Sequence, residues 1–241
     1  MTILFRSVLK QLARRVLIPR GRKHGLMAMR DRIADLAMLA GVETPIIVDG
    51  GANKGEITDL FLRQFKNPII HAFEPIPALA EQLRACYRKV PNVVVHEVAL
   101  GEEERQVDFH VTQNLVSSSV LKPSATNLLI HRQNVATMET ISVRQTRLDR
   151  EITGAVDILK LDLQGFELPA LRGCGALLPK IKTILLEVEF LPMYEGQALF
   201  GDIDAFLRTN GFQLFNFYEI WTRPEGCLES ADAIYTVAGG W

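Results

Sequence analysis

The stretch IIVDGGANKG, Ile46 to Gly55, sets an apolar run ending in an acid directly against a glycine-rich turn. Gly51 and Gly55 let the backbone bend sharply and approach a ligand closely, and Asp49 supplies a carboxylate where strand passes into loop. In an open parallel sheet, such a turn at the carboxyl end of the first strand is the usual ligand contact. A second acid, Glu74, closes the run IIHAFEP, 19 residues after Gly55. At a strand tip its carboxylate can accept hydrogen bonds from the vicinal hydroxyls of a ribose, or it can cap the helix after it. Farther along, Asp162, Glu167, Glu187 and Glu189 fall at or near the tips of two more strands. Strand alternation puts Glu187 and Glu189 on one face and Val188 on the other. Such acids suit proton abstraction; a hard divalent ion such as Mg²⁺ is not expected, and would be held, if present, by Asp162, Glu187 and Glu189; alternatively, one of the pair is neutralised by Lys160 or Lys182. Glu167 precedes Leu168 and Pro169 and doubles as a helix N-terminal residue.

The turn also says something about its ligand. A dinucleotide-binding turn carries G-x-G-x-x-G, with the pyrophosphate at the helix N-terminus. Here the frame is D-G-G-A-N-K-G, with Asn53 at the middle glycine's place and an acid in the lead. An anionic pyrophosphate gains nothing from that acid, whereas a ligand with an ammonium or a cationic centre does. Together with Glu74 this favours S-adenosylmethionine over NAD. Among the histidines, His131 lies in a long polar stretch where an imidazole, with a pKa of about 6.5, can serve as a base or simply face solvent, and His71 is expected to pack within its strand. Tyr194, in FLPMYEG, follows a strand and can line an acceptor pocket.

These residues need a scaffold that brings strand tips together. Short Val-, Ile- and Leu-rich runs alternate with helical segments: strands 46–49, 69–73, 93–98, 156–161 and 183–190, helices 54–66, 77–89, 167–178 and 200–210, and a closing strand pair near 212–218 and 232–238. That alternation predicts a mostly parallel sheet covered by helices on both faces. Between Gly101 and Arg150 it lapses into two strand-like runs, 107–111 and 139–148, around a polar insertion of the kind that carries function. Ahead of the sheet, 3–18 and 26–40 have helical periodicity. The expected division is a basic helical extension over 1–41 and a main domain over 42–241.

Composition narrows the class. At 241 residues, 48% hydrophobic and 23% charged, the chain suits a globular domain. No apolar run reaches the roughly 18 residues of a membrane span, and the N-terminus lacks a cleavage signature, so a cytoplasmic location is expected. Three widely spaced cysteines, Cys86, Cys174 and Cys227, suggest thiols rather than disulfides or zinc ligands. Net charge is −1, yet residues 1–32 hold nine basic groups against Asp31 alone, leaving −9 on the rest. The basic extension suits a peripheral membrane or subunit contact. The acidic body offers no extended positive groove, so a nucleic-acid partner is not expected.

VDGGANKGEIT, AFEPIPAL, VALGEEE, VDILKLDLQGFELPALRG and LLEVEFLPMYEG together resemble the FkbM-type family of S-adenosylmethionine-dependent methyltransferases, from about Ile46 to Val237. LKLDLQGFE is the most specific part, and the first 40 residues lie outside the match. The resemblance implies a Rossmann-like class I methyltransferase fold with a seven-stranded sheet. It implies that Asp49, Gly50, Gly51, Ala52, Asn53 and Gly55 cradle the methionine part of the cofactor, that Glu74, followed by Pro75, holds the ribose, and that Ala99 and Leu100 flank the adenine. Asp162 then faces the methyl-transfer centre, and Ser117, Ser118 and Ser119 match a serine-bearing segment beside the cofactor. Transfer to a hydroxyl of a sugar, in a glycan, glycolipid or glycosylated natural product, is the implied reaction. Asp162, Glu187, Glu167 and His131 are the candidates for the base. A nicotinamide-dependent oxidoreductase and a non-catalytic binding module on the same fold are the competing readings.

Overall fold

The computed structural model describes residues 30–125, 127–128 and 135–239. The expected helix 3–18, the start of 26–40 and His131 lie outside them. The chain divides into two compact units, Met1–Arg30 and Asp31–Trp241. The first helix of the second unit, α1 (Arg32–Ala40), starts at the Asp31 N-cap, whose side chain accepts from the Ile33 and Ala34 amides. Leu36 and Leu39 then enter the core beside Ile47 and Phe61. This helix belongs to the body, so the body begins at Asp31 rather than at residue 42.

Among the described residues ten strands follow: β1 (Ile46–Gly50), β2 (Ile69–Phe73), β3 (Val93–His96), β4 (Ala99–Leu100), β5 (Arg105–Thr112), β6 (Thr137–Thr146), β7 (Val156–Leu161), β8 (Ile181–Glu189), β9 (Phe212–Thr222) and β10 (Leu228–Val237). Seven of them form one sheet in the order β3-β2-β1-β7-β8-β10-β9. Within this sheet β10 alone points opposite to the other six strands. The strand order reverses beside β1, so the tips of β1, β2 and β7 open onto the crevice where such sheets bind ligands. The helices α2 (Glu56–Gln64) and α3 (Pro77–Cys86) join α1 on one face. On the other lie α4 (Leu148–Glu151), α5 (Glu167–Gly173), a 3₁₀ turn (Gly175–Lys180) and α6 (Phe200–Thr209). The expected helix 167–178 breaks at Cys174 and tightens into that 3₁₀ turn, where Pro179 lacks the N–H an α-helix would use.

Residues 93–98 do not form one strand. β3 stops at His96, and Ala99 and Leu100 pair instead with Gln145 and Thr146 of β6. The antiparallel β5–β6 pair completes this second, three-stranded sheet, and Phe109 and Val143 pack with Ile76, Leu79 and Ala99. The insertion thus builds a wall beside the tips of β2 and β3. Of the cysteines, Cys174 is buried, and burial pushes its thiol up to about 12; Cys86 and Cys227 are exposed. His71 is half-buried, as expected for a packed strand residue, and shares a hydrogen bond of 3.0 Å with His96; burial lowers the pKa of both.

Candidate active site

Gly51 follows β1 with φ +74, and a Cβ there would lie 2.0 Å from the carbonyl oxygen of Asp162. Its position excludes any side chain on conformational and on steric grounds. Gly55 has φ +88 and backs onto the Tyr87 hydroxyl. Asn53 is also left-handed, φ +49, a conformation that asparagine tolerates better than most residues. This accounts for the missing middle glycine. The amides of Gly51 and Ala52 both donate to the Phe73 carbonyl, each at 3.0 Å, which joins the turn to the tip of β2.

There Glu74, 4% exposed, accepts from Asn53 N through Oε2 and from Ile76 N through Oε1, both at 2.9 Å. It therefore holds Ile76, the residue before the first turn of α3, and braces the glycine turn at once. Each carboxylate oxygen keeps acceptor capacity for a further donor. Burial pushes its pKa up to about 7 against the two amides and the Lys160 charge.

A cleft of about 250 Å³ opens at these tips. Gly51, Ala52, Asn53, Glu74 and Pro75 line it on one side, Ala99, Leu100 and Ser118 on another, and Asp162 at the end of β7. Sequence reasoning had not singled out the apolar wall from the insertion, Phe109, Leu115, Val116 and Val120, nor Gln164 and Phe166 beyond β7. Ser118 is buried, its Oγ accepting from Thr112 N at 3.1 Å, while Ser119 donates to the Gln164 carbonyl at 2.8 Å and the Ser117 carbonyl accepts from the Tyr194 hydroxyl at 3.2 Å.

Several expected site residues lie elsewhere. Asp49 is fully buried and off the cleft wall; its carboxylate accepts from Thr58 Oγ1 at 2.7 Å and faces Lys160 Nζ at 3.0 Å. The cation that this acid matches comes from the chain's own β7 rather than from a ligand. Gly50 and Gly55 form the backbone behind the turn. Glu167 is fully buried at the start of α5, its Oε1 accepting from Leu163 N at 2.6 Å, and burial raises it to about 7. Glu187 and Glu189 do face the same way on β8, behind the cleft wall, and burial together with the neighbouring acids holds both well above the usual carboxylate range. Neither is neutralised by Lys160 or Lys182, whose ammonium groups go to Asp49 and to the Ala40 carbonyl.

The space that a divalent ion would need between Asp162 and Glu187 is bridged by an amide. Gln164 Nε2 donates to Asp162 Oδ1 at 2.8 Å and to Glu187 Oε2 at 2.6 Å, and its Oε1 accepts from the Tyr194 hydroxyl at 2.6 Å. Among the described residues no group of three or more His, Cys, Asp or Glu could hold a metal ion, Asp162, Glu187 and Glu189 included. Gln164 sits at φ +55, a conformation that costs free energy and concentrates at sites where function needs it. Asp162 is left as the one carboxylate among the four strand-tip acids that reaches the cleft wall.

Residues 49–214 match the model of the methyltransferase FkbM domain. The chain belongs to the FkbM methyltransferase family. It is 29% identical over 164 residues to the 2-O-methyltransferase NoeI of Sinorhizobium fredii, covering 64% of this chain and 67% of that protein. The crystal structure of methyltransferase FkbM from Methylobacillus flagellatus superposes with a TM-score of 0.53 at 16% identity, over 80% of this chain; the chain spans only 44% of that one. Magnesium protoporphyrin IX methyltransferase (ChlM) from Synechocystis, with bound SAM, superposes with a TM-score of 0.50 at 10% identity, covering 86% of this chain and 76% of that one. The fold is therefore the Rossmann-like methyltransferase fold, with its mostly parallel seven-stranded sheet.

Proposed function

We propose that this methyltransferase uses S-adenosylmethionine to methylate a hydroxyl group, with a sugar as the acceptor. The observation that carries the proposal is that Glu74 and Asp162, on the strands flanking β1, face one cleft floored by the glycine turn. Glu74 would receive the ribose hydroxyls, the turn from Gly51 to Asn53 the methionine part, and Ala99 and Leu100 the adenine. The bound cofactor supplies an electrophilic methyl group. The chain's own task is to align the acceptor and to take its proton, for which Asp162 is the nearest base. Similarity to a 2-O-methyltransferase supports the hydroxyl acceptor.

Isothermal titration with S-adenosylmethionine and, separately, with NAD tests the first half. Binding of the former alone is the expected result, and binding of NAD alone would overturn the reading. A screen of sugar acceptors tests the second half, and turnover confined to non-sugar acceptors would remove the sugar. With an accepted sugar, Asp162→Asn should lower turnover about 100-fold or more, the usual contribution of a general base, with little change in melting temperature. A fully active variant would dismiss Asp162 as the base.

Glu74→Ala should weaken S-adenosylmethionine binding by about 1.5–3 kcal/mol, the range for hydrogen bonds to a charged group. Because burial raises Glu74 to about 7, hydroxyl donors that favour its ionised form release a proton on binding. Wild-type affinity should therefore rise between pH 6 and 8, and that rise should vanish in the variant. Calorimetry across that range measures both effects, and equal affinities of the two proteins would remove Glu74 from the ribose.

A further inference from the structure

Lys160 lies beside Asp49 in the sheet register, and its side chain is only 6% exposed. An ammonium so far from water is costly unless every donor is met. It has three N–H donors and no acceptor. The Gly50 carbonyl at 3.1 Å and the Gly51 carbonyl at 2.9 Å accept from it, and the Asp49 carboxylate faces it as an ion pair, Oδ1 at 3.0 Å. Burial opposes the charge, yet Asp49, Asp162 and Glu74 outweigh it and leave the ammonium above its ordinary pKa. Lys160 is thus a fixed cation and not a base or nucleophile.

Both of these hydrogen bonds go to the backbone of the turn, and their partners complete a pattern. In the peptide unit joining Gly50 to Gly51, the carbonyl meets Lys160 and Asp162 N while the Gly51 amide meets the Phe73 carbonyl. In the unit joining Gly51 to Ala52, the carbonyl meets Lys160 while the Ala52 amide meets the same Phe73 oxygen. Both peptide planes are pinned at both ends. The second lies past the end of β1, where the sheet no longer fixes it, and Gly51 itself has the backbone freedom to flip.

We infer that Lys160 is a positioning residue for the cofactor turn, reaching from β7 to hold the Gly50–Gly51 and Gly51–Ala52 peptides in the orientation that receives the ligand. The inference rests on the reading that this turn holds S-adenosylmethionine. Asp49, in turn, neutralises the lysine, and Thr58 holds Asp49 from the first turn of α2.

Lys160→Met leaves Asp49 as a buried unpaired charge, so the variant loses stability whatever the role of Lys160. The double variant Asp49→Asn/Lys160→Met removes both charges and isolates the effect on the turn. Each protein is titrated with S-adenosylhomocysteine and melted in parallel. The double variant should recover most of the melting temperature lost by Lys160→Met while still binding about tenfold or more weakly than wild type, the scale of losing one hydrogen bond to a charged group. With an accepted sugar, KM for S-adenosylmethionine should rise by a similar factor and kcat should change less. If affinity and melting temperature return together, Lys160 is only the counterion of Asp49 and the inference fails. If wild type does not bind S-adenosylhomocysteine, the cofactor reading itself fails, a result distinct from normal binding by both proteins.

Discussion

Gly51→Ala should destabilise the chain by about 3 kcal/mol or more, the sum of left-handed strain and forced overpacking, and should abolish cofactor binding. The new methyl group would meet the Asp162 carbonyl oxygen at 2.0 Å and its carbon at 3.1 Å. That backbone cannot retreat cheaply, because Asp162 N is bonded to the Gly50 carbonyl at 3.1 Å. At φ +74 the alanine is strained even before it meets anything. Gly211→Ala is the matched control: its φ is +85, but nothing lies within 4 Å of the added Cβ, so it carries the strain without the collision. Urea unfolding of both variants separates the two contributions. Equal destabilisation by both would mean that the turn gives way, and it would remove the tight junction between β1 and β7 from the account of the site.

The second large effect concerns pH. Burial raises Glu167 to about 7 and holds Glu187 and Glu189 well above the usual carboxylate range. Above about pH 4.5 the unfolded chain has released protons that the folded chain still holds. Stability from these groups is therefore greatest below that pH and declines as pH rises through about 7, opposite in sign to the usual salt-bridged carboxylate. Glu167→Gln keeps the acceptor for Leu163 N and sets an amide among the remaining acids, so it should flatten the decline and exceed wild type at pH 8 by as much as roughly 3 kcal/mol. Urea unfolding at pH 5, 6, 7 and 8 measures this. Parallel curves for the two proteins would show that Glu167 titrates as an ordinary carboxylate.

Much of the fold was legible because periodicity reports which side of a strand is buried. The run 156–161 matched its observed strand, and the alternation that paired Glu187 with Glu189 held. Periodicity says nothing about partners far along the chain. Asp49 reads as a ligand group because the lysine that faces it lies 111 residues later, and Gln164 is not singled out because its bonds depend on Asp162, Glu187 and Tyr194 meeting around it. The break after His96 was invisible for a similar reason, since Ala99 and Leu100 extend a Val-rich run in sequence while bonding to β6, some 46 residues on. Glu74 does lie at the tip of β2, but it does not cap α3: its carboxylate joins Asn53 of the glycine turn to Ile76, two contacts between segments that periodicity cannot relate.

Behind Gln164 of the cleft wall, the insertion and the turn after β8 are stitched together although they are distant in sequence. Ser124 N bonds the Met193 carbonyl at 2.9 Å, Glu195 N bonds the Lys122 carbonyl at 2.8 Å, and Ser119 and Tyr194 both close on Gln164. These segments are therefore not interchangeable parts. Whether by recombination or by design, a graft onto this scaffold must carry the insertion and the turn after β8 together, as one inherited unit.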